Sequence, residues 1–448
     1  MKDRLYKIEE KGKYGFIDYK GNIIITPVYD CVREFSEGVA WVNLKGFKSY
    51  YDCLGGKWGF INEKGNIIRD INLDLVNLIT FSEGLSWVMF GENKYDGKWG
   101  IMNIKGEWVA EPLFNFDKVF AFQNGAAIVE SNNKKGYIDK RGRVIFRPQF
   151  DSVGAFYDGI SWVNTGAQED QNGFLIGGKW GLVNLSGNFL KHFQYECIQN
   201  FSDGNAWVRR TKMGKWGLID SEGRQILDFK YEKVFRFVNG EAIVKKDSQW
   251  RLINSNGNSI ILYDDKIQDF EEFSRDLAKI RCNGKYGFID REGNILLEPR
   301  FEVIINSEYA AWVKRDEIWM IFNKKIKKLI KPSIKIEYVY PFIDDYALIQ
   351  NSQNKWGMID IKGGILAETK YDYVAYPLDN HVWVNIGGKV GYSGIRGGKW
   401  GLIDQSGNFI VKPRFTQIHD FWGTELLDAQ IKNKKCYINR KGEIVWSQ

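Results

Sequence analysis

A ten-residue phrase returns from one end of this chain to the other, and it leaves few architectures open. Gly56 to Gly65 reads GKWGFINEKG, and close copies begin at Gly97, Gly178, Gly214, Asn354 and Gly398. Weaker copies begin at Gly12, Asn133 and Gly284, and degenerate ones at Ser248, Glu317 and Asn433. The aromatic slot falls at positions 14, 58, 99, 135, 180, 216, 250, 286, 319, 356, 400 and 435, with gaps of 33 to 45 residues. A period of that size marks units that stack because none can bury its apolar face alone.

The rest of each unit reads as short strands and tight turns. An apolar run such as Asn22 to Ile25 is too short for a helix and right for a strand. A Pro-x-aromatic step follows in five units, at Pro27, Pro112, Pro148, Pro299 and Pro413. Proline lacks a backbone donor, so these positions are expected at a strand end or a sheet edge. An aromatic then precedes an acidic-Gly turn, as in Phe35-Ser36-Glu37-Gly38, and a closing strand such as Val39 to Val42 ends the unit. In the (Asp/Asn)-x-x-Gly turn, the side chain bonds the backbone two residues on and the glycine takes the left-handed conformation. Glycine directly after the tryptophan leaves room for a large ring or a neighbouring backbone. The expected fold is all-β, about twelve units of three to four short strands, forming either propeller-like blades or an open β-superhelix.

The Trp-Gly step, seen at Trp58-Gly59 and Trp400-Gly401, resembles the WG-repeat (KWG-repeat) family of bacteria, and the resemblance covers essentially the whole chain. It implies an all-β repeat protein with no general enzymatic activity, and it names no ligand. Two units depart from the pattern, with Arg251 and Met320 in place of the glycine and Ile326 in place of a turn glycine. The array is read as one continuous body over residues 1–448, with units starting near 12, 56, 97, 133, 178, 214, 248, 284, 317, 354 and 398 and a half unit at 433–448. That half unit is expected either to complete a first blade begun by Arg4 to Lys13 or to serve as a cap.

Composition narrows the function classes. A net charge of +7 on 448 residues, spread through every unit, does not suggest a nucleic-acid binder. The five cysteines, Cys31, Cys53, Cys197, Cys282 and Cys436, are odd in number with no CxxC pair. Neither a zinc site nor a disulfide framework is expected from them. The N-terminal stretch has no apolar h-region and no run approaches a membrane span, so a cytoplasmic address is the default expectation. His192, His381 and His419 lie in different units without ligand-spaced neighbours, and no nucleophile, zinc or phosphate motif appears. No catalytic site, metal or cofactor is expected.

The repeated tryptophans Trp58, Trp99, Trp180, Trp216, Trp356 and Trp400 are read as core, because stacking demands one buried residue at a fixed register. The lysine-rich stretch Asn323 to Lys335 (Lys324, Lys325, Lys327, Lys328, Lys331, Lys335) is read as a solvated hairpin. Chain length varies at one point of the unit, between the closing strand and the next Lys-Trp-Gly. Long insertions stand there at Asn43 to Gly55, Asn164 to Gly177 and Asn385 to Gly397, with a shorter one at Met89 to Asp96. They share a rim and carry Phe47, Lys48, Tyr50, Tyr51, Phe174, Lys389, Tyr392 and Arg396 as candidate partner contacts. The function expected is a non-catalytic scaffold for another protein; the alternative is a lectin-like module for glycans or cell-wall fragments.

Overall fold

The computed structural model describes residues 4–48, 53–92, 96–171, 174–375, 381–391, 394–404, 406–419, 425–432 and 434–448. All regular structure among them is strand, and the strands form twelve small antiparallel sheets, numbered here in chain order. Sheet 2 shows the plan. Its strands Cys31–Val32, Val39–Lys48, Cys53–Asn62 and Ile67–Leu73 pair in that order. Sheet 1 has three strands, Tyr6–Glu10, Lys13–Ile17 and Ile23–Tyr29, and lacks the short first one. The Lys-Trp-Gly phrase opens the third strand, so each sheet begins half a unit before the phrase.

The glycine after the tryptophan makes room for backbone. The fourth strand carries extra residues opposite it, seen as two register shifts in the ladder of sheets 1–6, 8, 10 and 11. A Cβ at Gly15 would lie 2.7 Å from the Pro27 nitrogen, and one at Gly100 2.9 Å from that of Pro112. The prolines sit in fourth strands, which pair on one side only and are therefore edges.

Between sheets the chain barely pauses. The fourth strand usually passes into the next first strand through one residue: Asp30, Asp74, Asp151, Glu196, Glu232, Glu302, Asp372 or Thr416. Seven of these corners are acidic, and each receives the lysine of its own Lys-Trp-Gly phrase. The pairs are Lys13–Asp30 at 2.5 Å, Lys57–Asp74 at 2.5 Å, Lys134–Asp151, Lys179–Glu196 at 2.8 Å, Lys215–Glu232 at 3.9 Å, Lys285–Glu302 at 2.8 Å and Lys355–Asp372 at 2.7 Å. The lysine of the phrase is thus a corner bracket.

Neighbouring sheets are locked by aromatic stacks and turn contacts. Trp41 of sheet 2 stacks on Phe81 of the next turn with centroids 5.6 Å apart, and Trp87 on Phe122, Trp207 on Phe237 and Trp312 on Phe342 repeat it at 5.7, 5.7 and 5.1 Å. The Ser36 hydroxyl donates to the Phe81 carbonyl at 2.7 Å, and the Gly84 N–H donates to the Glu37 carboxylate at 2.7 Å. Of the closing-strand tryptophans, Trp41, Trp87, Trp207, Trp312 and Trp383 are fully buried. Of the tryptophans in the Lys-Trp-Gly slot, Trp58, Trp99, Trp250, Trp356 and Trp400 are buried, while Trp180, Trp216 and Trp319 are half-buried. Trp216 is covered by the Arg209 guanidinium, 4.3 Å from its ring centroid.

The twelve sheets close into a ring resembling a twelve-bladed β-propeller, more than the four to eight blades usual for that architecture. The glycine of most (Asp/Asn)-x-x-Gly turns, though not Gly407, rests on the fourth strand of the preceding sheet, Gly65 on Ile25, Gly106 on Arg69 and Gly442 on Val411. The same contact closes the circle, with Gly21 of sheet 1 on Val445 of sheet 12. The Tyr437 hydroxyl donates to the Lys7 carbonyl at 2.8 Å, and the Tyr6 hydroxyl accepts the Glu425 N–H at 3.2 Å. The expectation of a shared latch blade is corrected. Gln417–His419, Leu426–Ile431, Lys434–Asn439 and Ile444–Ser447 complete a sheet of their own, so the first and last sheets meet face to face.

Candidate functional site

Antiparallel pairing gives the ring two different rims. The acidic-Gly and (Asp/Asn)-x-x-Gly turns lie on one, and the hairpins between second and third strands lie on the other with the acidic corners. Among the described residues, five of those hairpins are two-residue turns with both residues left-handed, such as Asn132-Asn133 and Asp247-Ser248. In sheets 2, 5 and 11 they grow into arms. The strands there run Val39–Lys48 with Cys53–Asn62, Ile160–Glu169 with Leu175–Asn184, and Val382–Gly391 with Gly394–Ile403. Around a ring of twelve, sheets 5 and 11 are opposite each other and sheet 2 stands midway between them.

Each arm bends at the same built joint. A buried asparagine, Asn43, Asn164 or Asn385, donates from Nδ2 to the carbonyl of Gly55 (3.1 Å), Gly177 (3.3 Å) or Gly397 (3.3 Å). Its Oδ1 lies where a Cβ on Gly56, Gly178 or Gly398 would stand, so only glycine fits. Lys45, Gly166 and Gly387 are left-handed on the opposite strand, and the Lys45 and Gly387 N–H groups donate to the corner carboxylates of Asp30 (2.8 Å) and Asp372 (2.7 Å). Burial pushes the Asp30 and Asp372 carboxyls up. The lysine at each corner and the arm N–H outweigh it and hold both below the usual carboxylate range.

The arm tips carry apolar side chains in the open. Phe47 (63% exposed) pairs across its arm with Leu54, Phe174 (68%) neighbours Leu175 and Ile176, and Val390 (56%) stands with Ile386 on the third arm. Lys389 and Arg396 face each other across the third arm, both exposed. Lys48 is held back on sheet 1, its ammonium donating to the Tyr14 hydroxyl at 2.8 Å. Tyr50, Tyr51 and Tyr392 lie outside the described residues. Leu54, Leu175, Ile176, Ile386 and Val390 were missed because only aromatic and basic residues of the insertions were weighed. Their signal was the presence of large aliphatic residues within segments already marked as exposed.

Two expectations need correction. Cys31 and Cys53 form a disulfide, their Cα atoms 6.2 Å apart, which ties the first strand of sheet 2 to the outer end of the described arm, where Cys53 pairs with Lys48. The cysteines stand 22 residues apart in sequence, and pairing of the first strand with the second brings them together across the bend. Cys197, Cys282 and Cys436 are free, and burial pushes the Cys436 thiol up to about 11. In the lysine-rich hairpin, Lys324 is buried rather than solvated. Its ammonium donates to the Ser307 carbonyl at 2.7 Å, and burial lowers its pKa to about 8. Lys325 bridges to Asp345 at 2.8 Å, and Lys327, Lys328, Lys331 and Lys335 are exposed. Among the described residues no three His, Cys, Asp or Glu side chains are grouped as metal ligands would be, and no helix is long and apolar enough to cross a membrane.

Comparison with known proteins bears on the repeat. A family model described as "WG containing repeat" matches ten times, at residues 14–46, 58–95, 99–134, 136–167, 180–211, 216–250, 250–286, 286–317, 356–389 and 400–434. No curated protein matches the chain. Among solved structures, a eukaryotic initiation factor aligns at 9% identity and TM-score 0.36, over 78% of this chain and 93% of its own. The computationally designed Ika8 protein aligns at 12% identity and TM-score 0.27, over 66% of this chain and 94% of its own. The extracellular domain of a hybrid two component system from B. thetaiotaomicron aligns at 10% identity and TM-score 0.21, over 98% and 69%. These scores are low, and the three structures bear on neither the ligand nor the activity of this chain.

Proposed function

This chain belongs to the WG-containing repeat family, and we propose that it is a non-catalytic scaffold that holds another protein on the three arms of one rim. The observation that carries this reading is the union of a rigid root with an apolar tip. Asn43, Asn164 and Asn385 fix three bends of one design, and Phe47, Phe174, Ile176 and Val390 stand exposed beyond them. Large apolar side chains on a pre-ordered support lose little freedom on binding and make effective anchors. The arms are also two-stranded ribbons whose outer edges lie past the flanking strands, which suits a partner that adds an extended segment. A glycan reading finds less support, since the described tips expose aliphatic side chains more than aromatic platforms.

The Cys31–Cys53 bridge favours an oxidising compartment over the cytoplasmic address expected from the N-terminal stretch. The test is capture of a partner from the native host, followed by rebinding of that partner in purified form. Phe47→Ser, Phe174→Ser and Val390→Ser together should lower its affinity at least tenfold and leave the melting temperature unchanged. Undiminished rebinding by the triple variant would move the contact off the arms.

A further inference from the structure

On the rim opposite the arms, the seam between sheets 11 and 12 opens a cleft of about 570 Å³. That volume lies in the range of small-molecule sites. Its floor is Ile410, Val411 and Pro413 from the fourth strand of sheet 11, and Lys412, Arg414, Lys441 and His381 surround it. Neither Lys412 nor Lys441 meets an acid at ion-pair distance among the described residues. Arg414 is aimed by one hydrogen bond from its Nη2 to the Gly442 carbonyl at 3.2 Å, which leaves its charge uncompensated. The His381 Nδ1 is shut off from solvent with no hydrogen-bond partner. The acid in the lining, Glu443, accepts from the Asn439 side chain at 2.7 Å, and Asp404 behind His381 accepts the N–H groups of Ser406 and Asn408 at 2.9 Å.

The ring supplies its own control. One seam earlier, between sheets 10 and 11, a cleft of about 460 Å³ is built from the same positions. There Glu368 stands where Lys412 stands, and it neutralises Lys370 at 2.8 Å; Ser406 stands where Lys441 does. The Glu368 position is acidic in four further sheets, as Asp70, Glu111, Asp228 and Glu298. At the seam between sheets 11 and 12, a base on the fourth strand therefore meets a base on the next turn, with no ion pair between them and an acid. A concave surface with converging cations and an apolar floor recognises an anionic head on an apolar-faced body.

We propose that this cleft binds a small organic anion, a carboxylate or phosphate carried on a sugar-sized body. Lys412, Arg414 and Lys441 would hold the charged head, with Ile410 and Pro413 under the body. Calorimetry on the full chain with glucuronate, glucose 6-phosphate and glucose tests it. At least one charged sugar should bind saturably and glucose should not, and the tighter of the two charged sugars identifies the head group. Lys412→Glu should weaken that binding at least tenfold, and Lys412→Gln or Lys441→Gln several-fold, with unchanged melting temperatures since both lysines are exposed. Lys370→Glu, at the neighbouring seam, should leave it unchanged. Saturation by neither charged sugar, equal binding of glucose, or an equal loss in Lys370→Glu would overturn the assignment.

Discussion

Nine sheets keep the glycine after the aromatic slot, and sheets 7, 9 and 12 replace it with Arg251, Met320 and Cys436. In the nine, the fourth strand bulges around the glycine, and all but one of them reach the next sheet through a single residue. Without the glycine, the register runs regularly past that point, as at Arg251–Leu262 and Leu252–Ile261. The fourth strand then shrinks to Ser259–Leu262 or Lys328–Ile330, and the corners after sheets 7 and 9 lengthen to residues 263–268 and 331–337. One missing Cβ thus sets the bulge and, through it, the tight corner that the lysine–acid pair brackets. The aromatic stack is independent of it, because Trp312 of sheet 9 stacks on Phe342 as Trp207 of sheet 6 stacks on Phe237.

The largest effects should therefore ignore the division. Trp207→Ala and Trp312→Ala each remove a fully buried ring, and each should lower stability by ~3–5 kcal/mol in denaturant melts. A mild Trp312→Ala would mean that the sheets without the glycine pack by other rules. Opening the Cys31–Cys53 bridge comes next. Cys31→Ser should lose ~2–4 kcal/mol, and reductant should lower the wild-type melting temperature but not the variant's. Insensitivity of the wild type to reductant would show that the glycine corner of sheet 2 holds without help.

The glycine itself should give an intermediate effect that does respect the division. Gly136→Ala places a Cβ 2.7 Å from the Pro148 nitrogen and should cost ~1–3 kcal/mol. Arg251→Gly, in a sheet whose fourth strand needs no room, should change stability by less than ~1 kcal/mol. Similar losses in both variants would detach the bulge from the glycine.

Much of this was legible along the chain, and the rest was hidden for definite reasons. Turn chemistry is local, so Asp18 could be read as accepting the N–H of Lys20 two residues on, which it does at 2.8 Å; it also accepts that of Asn22 at 2.8 Å. The room left by Gly15 and the edge placement of Pro27 follow from single-residue stereochemistry in the same way. Lys13 and Asp30 looked like ordinary surface charges, although the same separation of 17 residues recurs in unit after unit. Closure depends on twelve small rotations that sum to a circle, and no residue announces that sum. Trp58 was read as core and is buried, whereas Trp41, buried in the same cluster, was seen only as strand material. Of the arms, their place and common rim were readable, but the bends at Asn43, Asn164 and Asn385 need partners found only across the hairpin.

The smallest effects are electrostatic, and they separate the two kinds of sheet by the side of neutrality on which they act. The glycine sheets carry the corner carboxylates Asp30, Asp151 and Asp372, whose folded pKa values are depressed. Their contribution is present above the unfolded carboxylate pKa and is lost as pH falls through the folded one. Single exposed pairs of this kind are worth ~0–1 kcal/mol, so Lys13→Met, which removes the partner of Asp30, should trim the acid limb only slightly. Sheet 9 has no such pair and instead buries Lys324, whose pKa falls from 10.5 to about 8. The folded state binds fewer protons than the unfolded between those values, so this group makes stability rise as pH climbs from about 8 to 10.5. Buried tyrosines such as Tyr231 and Tyr371 have raised pKa values and act in the opposite sense, so the reading is the difference between wild type and Lys324→Met. Melting temperatures at pH 7, 9 and 10 should show the variant gaining over wild type at neutral pH and the gap narrowing as pH rises. A gap independent of pH would mean that Lys324 stays charged in the folded ring, held by the Ser307 carbonyl alone.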